Sequence, residues 1–223
     1  MVKHPYKKRF GDFIIQSTTE AHTKYAADIA ALLEESAKAR GIGIAKRSPD
    51  YIADKMREGK AIIAFHKDGR LAGFTYIETW ANKQYVANSG LIIVPEFRGR
   101  KLGKALKQAS FTHSRRNFPD AKIFSITTSP VVMKMNTELG FIPVPLYQLT
   151  EDPTFWEGCR SCRNYPILEG NHFKHCLCTG LLYDPQEKRQ PATIWKKWKN
   201  TILHTIEYWR HVLHKPKGGV ANG

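Results

Sequence analysis

Long apolar runs are missing from this chain. No stretch of its 223 residues reaches the ~18 uncharged apolar positions that a bilayer span requires, so no membrane-spanning helix is expected. The basic start, residues 1–9, is not followed by the apolar run of a secretory signal, which reads as a cytoplasmic protein. Acidic residues are scarce: 20 Asp and Glu face 35 Lys and Arg, for a formal net charge of +15. Such a balance favours polyanions, whether nucleic acid, anionic lipid or a phosphate-rich cofactor, and charge alone does not choose among them. Cysteine is also scarce, with four residues, all between positions 159 and 178. In a reducing compartment that pattern argues against a disulfide framework. Internal repeats and low-complexity tracts are absent, as is any recognised nucleic-acid motif, which puts a zinc-stabilised nucleic-acid module well below an enzyme.

What is present divides into helical and strand-like segments. Residues 13–17 read as a first strand, and residues 20–40 as a helix with Ala26, Ile29, Ala30, Leu33 and Ala37 on one face. Gly41-Ile42-Gly43 stops it, and Ser48-Pro49-Asp50 caps a second helix through about residue 58. Residues 61–65 and 71–80 form strands around an Asp68-Gly69 turn, followed by a strand over 85–94. A helix over 102–117, a buried strand over 121–127, a short helix over 131–139 closed by Gly140, and a strand from 141 complete the pattern. Hairpins followed by strand–helix alternation indicate a mixed α/β sheet. The expected organisation is a core over 1–152, a Cys-rich segment over 153–185 that completes it, and a basic linker with a C-terminal helix over 186–223.

The most informative segment joins the strand over 85–94 to the next helix. It reads Arg98-Gly99-Arg100-Lys101-Leu102-Gly103-Lys104-Ala105: two glycines and four cations entering a helix. Unpaired N–H groups at a helix start lie at its positive dipole end and suit a pyrophosphate. Glycine lets the backbone come close to such a group.

This loop resembles the cofactor signature of the GNAT acetyltransferases, with Arg98 and Gly103 in register and Lys101 where a first glycine usually stands. Downstream, Phe124-Ser125-Ile126-Thr127-Thr128, a short helix and Leu139-Gly140-Phe141 resemble the family's second cofactor segment. The resemblance implies a mostly antiparallel central sheet flanked by helices. It implies acetyl-CoA or another acyl-CoA as cofactor, with pantetheine along the backbone of Leu91, Ile92 and Ile93, and acyl transfer to an amine. Asn136 occupies the position of the family's thiolate-side tyrosine, and an amide cannot serve as a general acid at neutral pH. The strand over 85–90 has no carboxylate where many members carry a base, which leaves Glu78 on the neighbouring strand as the nearest candidate.

Within the family, the segment around Arg47-Ser48, the Thr127-Thr128 strand end and Gly140-Phe141-Ile142-Pro143-Val144 are similar to the acyltransferase domain of N-acetylglutamate synthases, over roughly residues 29–168. That likeness implies glutamate or a near analogue as acceptor, with Arg47 and Arg163 reading its carboxylates, an office arginine fills better than lysine. A protein amine, a polyamine or an aminoglycoside is the alternative acceptor within the family.

Cys159-x-x-Cys162 and Cys176-Leu177-Cys178 have paired soft ligands suited to a structural tetrahedral zinc, and reduced core thiols are the alternative. In the tail, Ile194, Trp195, Trp198, Ile202, Ile206, Trp209 and Leu213 recur at helical spacing. That stripe reads as a packing face, on the domain or on a second subunit, before a membrane-surface helix.

Overall fold

A computed structural model describes residues 4–40 and 46–187. Contacts divide the chain into a compact unit, Met1–Pro185, and a second, Gln186–Gly223, of which residues 186–187 are described. The expected glycine stop at 41–43 and the aromatic tail stripe therefore lie outside the described residues.

The first unit is built on one eight-stranded sheet. Its strands are β1 (Lys7–Phe10), β2 (Phe13–Ser17), β3 (Ala61–His66), β4 (Leu71–Trp80), β5 (Tyr85–Ile93), β6 (Lys122–Thr127), β7 (Ile142–Val144) and β8 (Thr179–Tyr183). The order is β1-β2-β3-β4-β5-β6-β8-β7, and every pairing is antiparallel except β5 with β6. This is the mixed, mostly antiparallel sheet expected from the sequence. Two strands had no signal there. β1 is four residues of mainly charged sequence, and β8 inserts between β6 and β7 from far along the chain.

Helices cover both faces. The expected helix over 20–40 is a 3₁₀ turn, Glu20–Tyr25, continued by α1, Ala26–Arg40. Next comes α2, Pro49–Arg57, where Ser48 Oγ accepts from Tyr51 N at 3.2 Å, as its Ser-Pro start foretells. α1 and α2 bury Ile29, Leu33, Ile52 and Met56 against Ile63, Phe74, Tyr76 and Ile92 of the sheet. On the other face α3, Leu102–Asn117, buries Leu102, Leu106 and Ala109 against Ile15, Ile62 and Ala64. Strand alternation separates the two sets: Ala61 and Ile63 look one way, Ile62 and Ala64 the other. α4, Pro130–Glu138, packs beside β6 and ends at Gly140 with φ of +92°. α5 (Pro153–Glu157) and α6 (Tyr165–Gly170) precede β8. Among the described residues, no helix is long and apolar enough to cross a membrane.

Two irregularities shape the middle of the sheet. Opposite β4, Phe74 pairs with Ile92 but Tyr76 with Ser89, so β5 holds one residue more than its partner. Gly90, with φ of +65°, takes up this bulge, and a Cβ there would overlap the Tyr76 ring. The bulge also turns Ile92 toward α1 and α2 while Asn88 faces α3. Secondly, β5 pairs with β6 only through Tyr85, Val86 and Ala87. Beyond Ala87 the two parallel strands run on without pairing, and the sheet opens into a wedge.

Candidate functional site

The far end of the open wedge is the loop between β5 and α3. After Ile93 a 3₁₀ turn, Pro95–Phe97, redirects the chain. Gly99 follows with φ of +78° and Lys101 with φ of +61°, the latter serving as the N-cap of α3 with no side-chain cap. A lysine in the left-handed region costs on the order of 1–3 kcal/mol, which an ordinary helix start would avoid. Its consequence is visible in the hydrogen bonds. Arg98 N donates to Pro95 O and Ala105 N to Lys101 O, yet among the described residues no backbone N–H of residues 99–104 finds an acceptor. A consecutive set of free amides at the positive end of a 16-residue helix forms a cradle for an anion.

The side chains here fit that reading unequally. Arg98 Nε donates to Ile93 O at 3.2 Å, and Arg100 lies over the Phe97 ring at 5.6 Å. Lys104 pairs with Glu138 at 2.8 Å, linking α3 to α4, although both groups are exposed. A Cβ on Gly103 would meet only Ile93, at 3.7 Å, so folding alone does not require glycine there. Glycine instead costs helix stability, about 1 kcal/mol relative to alanine. The gain is room over the amides, since Gly103 adds no side chain to the cradle.

Behind the loop, α3 presents a polar strip to the wedge. Ser114 Oγ donates to Asn88 Oδ1 at 2.8 Å, while Ser110 Oγ and Asn88 Nδ2 are buried without partners among the described residues. Lys107, one turn after Gly103, is 3% exposed, has no acidic partner among the described residues, and lies 5.7 Å from the Phe141 ring centroid. Burial lowers its pKa to about 7. His113 is wholly buried, its Nε2 2.9 Å from Gly59 O, and desolvation lowers its pKa as well. On α4, Asn136 is fully buried, and neither its Oδ1 nor its Nδ2 has a partner among the described residues. A buried amide left unpaired costs roughly 1–3 kcal/mol.

A second cluster occupies the opposite face. Arg47, just before α2, donates from Nε to Tyr76 Oη at 2.9 Å and from one terminal nitrogen to Lys46 O at 3.0 Å. Its guanidinium also lies 5.1 Å from the Tyr51 ring centroid. Among the described residues Arg47 has no ion pair. Glu78 on β4 is engaged at both oxygens: Tyr51 Oη donates to Oε2, and Lys55 Nζ stands 2.6 Å from Oε1. Burial and the neighbouring Tyr76 and Glu78 raise the Tyr51 pKa far above its ordinary value, so its hydroxyl keeps its proton. Tyr76, Tyr51 and Lys55 were not singled out in the sequence. Their signal was weak: Tyr51 and Lys55 are four apart on α2, and Tyr76 and Glu78 two apart on β4.

Arg47 and Glu78 are thus brought into one cluster, while Arg163 is exposed in the turn before α6. The four cysteines converge on a cavity of about 30 Å³, lined by Cys159, Cys162, Cys176 and Cys178 together with Asn164 and Trp156. All four are free thiols, and burial pushes Cys159 up to about 11 and Cys178 up to about 12.

Comparison by sequence finds no match to a protein-family model or to a curated protein. Solved structures do match. N-acetylglutamate synthase from Neisseria gonorrhoeae, complexed with coenzyme A and N-acetyl-glutamate, superposes with a TM-score of 0.57 at 19% identity over 81% of this chain. The match spans only 36% of that longer chain. The Salmonella typhimurium protein yncA, bound to its cofactor acetyl-CoA, gives 0.54 at 14% identity, covering 81% of this chain and 98% of its own. A GNAT-family acetyltransferase from Listeria monocytogenes gives 0.50 at 15% identity, covering 62% and 92%. At these identities the likeness is one of fold.

Proposed function

We propose that this chain, which has the fold of the GNAT acetyltransferases, transfers an acyl group from a CoA thioester to the amino group of a small acidic acceptor, glutamate or a near analogue. The observation that carries the first half is the run of acceptor-free amides at residues 99–104, flanked by Arg98, Arg100, Lys101 and Lys104. In this reading the diphosphate lies on those amides, and the pantetheine arm enters the wedge where β5 leaves β6. There the edge of β5 at Leu91, Ile92 and Ile93 forms no ladder with β6, which leaves it open to the arm's amides apart from Ile93 O, held by Arg98 Nε. The N-acetylglutamate synthase and yncA structures carry coenzyme A and acetyl-CoA, which fits such a role.

The acceptor side rests on Arg47. A half-buried guanidinium held by two tyrosines and lacking a carboxylate partner among the described residues is suited to grip one from a substrate. It is bonded to Tyr76 on the α2 face of β4, whereas the cradle opens α3 on the other face. An acceptor on one side and a cofactor on the other would meet through the wedge. Glu78, tied up by Tyr51 and Lys55, acts in this scheme by fixing the Arg47–Tyr51–Tyr76 group in place. The reacting amine must be neutral to attack, and without a free carboxylate its proton passes to water, catalysis relying on orientation. Asn136 is the hydrogen-bond donor for the departing thiolate, its Nδ2 having no partner among the described residues.

The test is a thiol-release assay with acetyl-CoA and succinyl-CoA against a panel of amino acids, alongside calorimetry with CoA alone. CoA binding with thiol release driven by glutamate or a similar acidic amino acid is the expected result. No heat with CoA would overturn the enzyme reading. Turnover with polyamines in preference to acidic amino acids would overturn the acceptor alone.

A further inference from the structure

The cavity lined by the cysteines shares no residue with the loop over 98–105, and the scheme proposed above makes no use of them. Cys159 and Cys162 end a turn after α5, with Cys162 N donating to Cys159 O at 2.8 Å. Asn164 N then donates to Cys162 Sγ at 3.4 Å. This N–H···S bond, two residues past the second cysteine, stabilises negative charge on that sulfur. From the other side Cys176 Sγ contacts Asn164 O at 3.9 Å, and Cys176 and Cys178 are within hydrogen-bonding reach of each other. Two sulfurs thus bracket a single residue, and a third adjoins one of them. The loop that returns the chain for this purpose is strained, with His172 at φ +50° and Phe173 at φ +61°.

Asn164 supplies an independent pointer. It is 6% exposed, lines the same cavity, and its Nδ2 has no acceptor among the described residues. A ring of neutral thiols gives that donor little to bind, whereas thiolates would accept from it. The cavity, about 30 Å³, has room for an atom-sized guest.

We propose that Cys159, Cys162, Cys176 and Cys178 hold one structural zinc ion, with Asn164 donating to the ligand sulfurs. On binding, the thiols release their protons to solvent as Zn–S bonds form, with no change of oxidation state. Among the described residues no three Cys, His, Asp or Glu side chains are grouped tightly enough to hold an ion as they stand. Zinc would therefore draw the sulfurs in, to about 3.8 Å from one another for Zn–S bonds of about 2.3 Å. The ion would tie the turn after α5 to the entry of β8. Ser161, inside that turn, accepts from Lys46 N at 3.1 Å, so the clamp also steadies the backbone beside Arg47. A closed four-sulfur shell leaves no open position for catalysis.

The full chain, purified without chelator, should carry about one zinc per molecule by elemental analysis. After exchange into cobalt it should show thiolate charge-transfer and tetrahedral d–d bands. Its four thiols should resist a thiol reagent until a chelator is added. Cys162→Ser should lose at least about tenfold in metal affinity, and His175→Ala should keep full occupancy. These readouts do not depend on acyl transfer, so either idea can fail alone. Substoichiometric zinc with freely reacting thiols, iron in its place, or metal lost from the His175 variant would each overturn the proposal.

Discussion

The loop opening α3 and the polar cluster beneath α2 make opposite use of the chain. The loop is continuous: residues 98–105 carry their own glycines, charges and helix start, and the amides of 99–104 lack acceptors among the described residues. The cluster is assembled: Arg47, Tyr51, Lys55, Tyr76 and Glu78 come from a loop, a helix and a strand, and have meaning only once α2 lies on β4. A continuous site tolerates changes in the distant fold, whereas an assembled one inherits every error in packing.

The sharpest way to break that contrast is at Gly90, where the bulge seats Tyr76. Gly90→Val sets a branched side chain at positive φ against the Tyr76 ring. A loss of about 3 kcal/mol or more is expected, lowering the melting temperature by roughly 10 °C. An unchanged thermal melt would mean that the bulge does not hold the cluster.

Lys107 tests the strip behind the loop. Its pKa falls from 10.5 unfolded to about 7 folded, so the unfolded chain binds more protons between those values. This group's contribution therefore makes stability rise from pH 7 to about 10.5 and leaves it flat below 7. Lys107→Met should be more stable at pH 7, by up to about 4 kcal/mol, with the advantage shrinking toward pH 10. Thermal melts of both chains across that range decide it, and a destabilised variant at pH 7 would show the ammonium to be stabilised by its surroundings.

Gly103→Ala should separate folding from binding. Helix propensity gains up to about 1 kcal/mol, and CoA affinity by calorimetry should fall about tenfold or more as the methyl enters the cradle. Equal CoA affinity would place the diphosphate elsewhere. For the cluster, Arg47→Lys should raise KM for an acidic acceptor about tenfold with little change in kcat, because a single ammonium replaces a fork. A change in kcat alone would instead assign Arg47 to the chemical step. The smallest effect is expected from Tyr51→Phe, which removes one hydrogen bond to Glu78 at a cost of about 1 kcal/mol, read from denaturant midpoints.

Local signals carried far in this chain. The Ser48-Pro49 cap, the Asp68-Gly69 turn and the start of α3 at Leu102 were legible because each depends on a few neighbouring residues. β1 was not legible, since three of its four residues, Lys7, Lys8 and Arg9, are exposed and charged, and only the edge pairing with β2 makes a strand of them. Nor was β8, whose place between β6 and β7 requires a return across some 35 residues beyond β7. Lys107 looked like one more cation on a basic helix. In the folded chain it is buried, 5.7 Å from the Phe141 ring centroid.

By itself the amino-acid sequence determined the mixed sheet, the order of its main elements and the cationic glycine loop, because hydrophobic period, caps and turns act over a few residues. Tertiary structure alone decided that β5 and β6 part after Ala87, that Tyr51 and Lys55 close on Glu78, and that four cysteines face one cavity. Those outcomes depend on contacts between residues far apart in the chain, whose closure entropy is met only when the whole core is buried together.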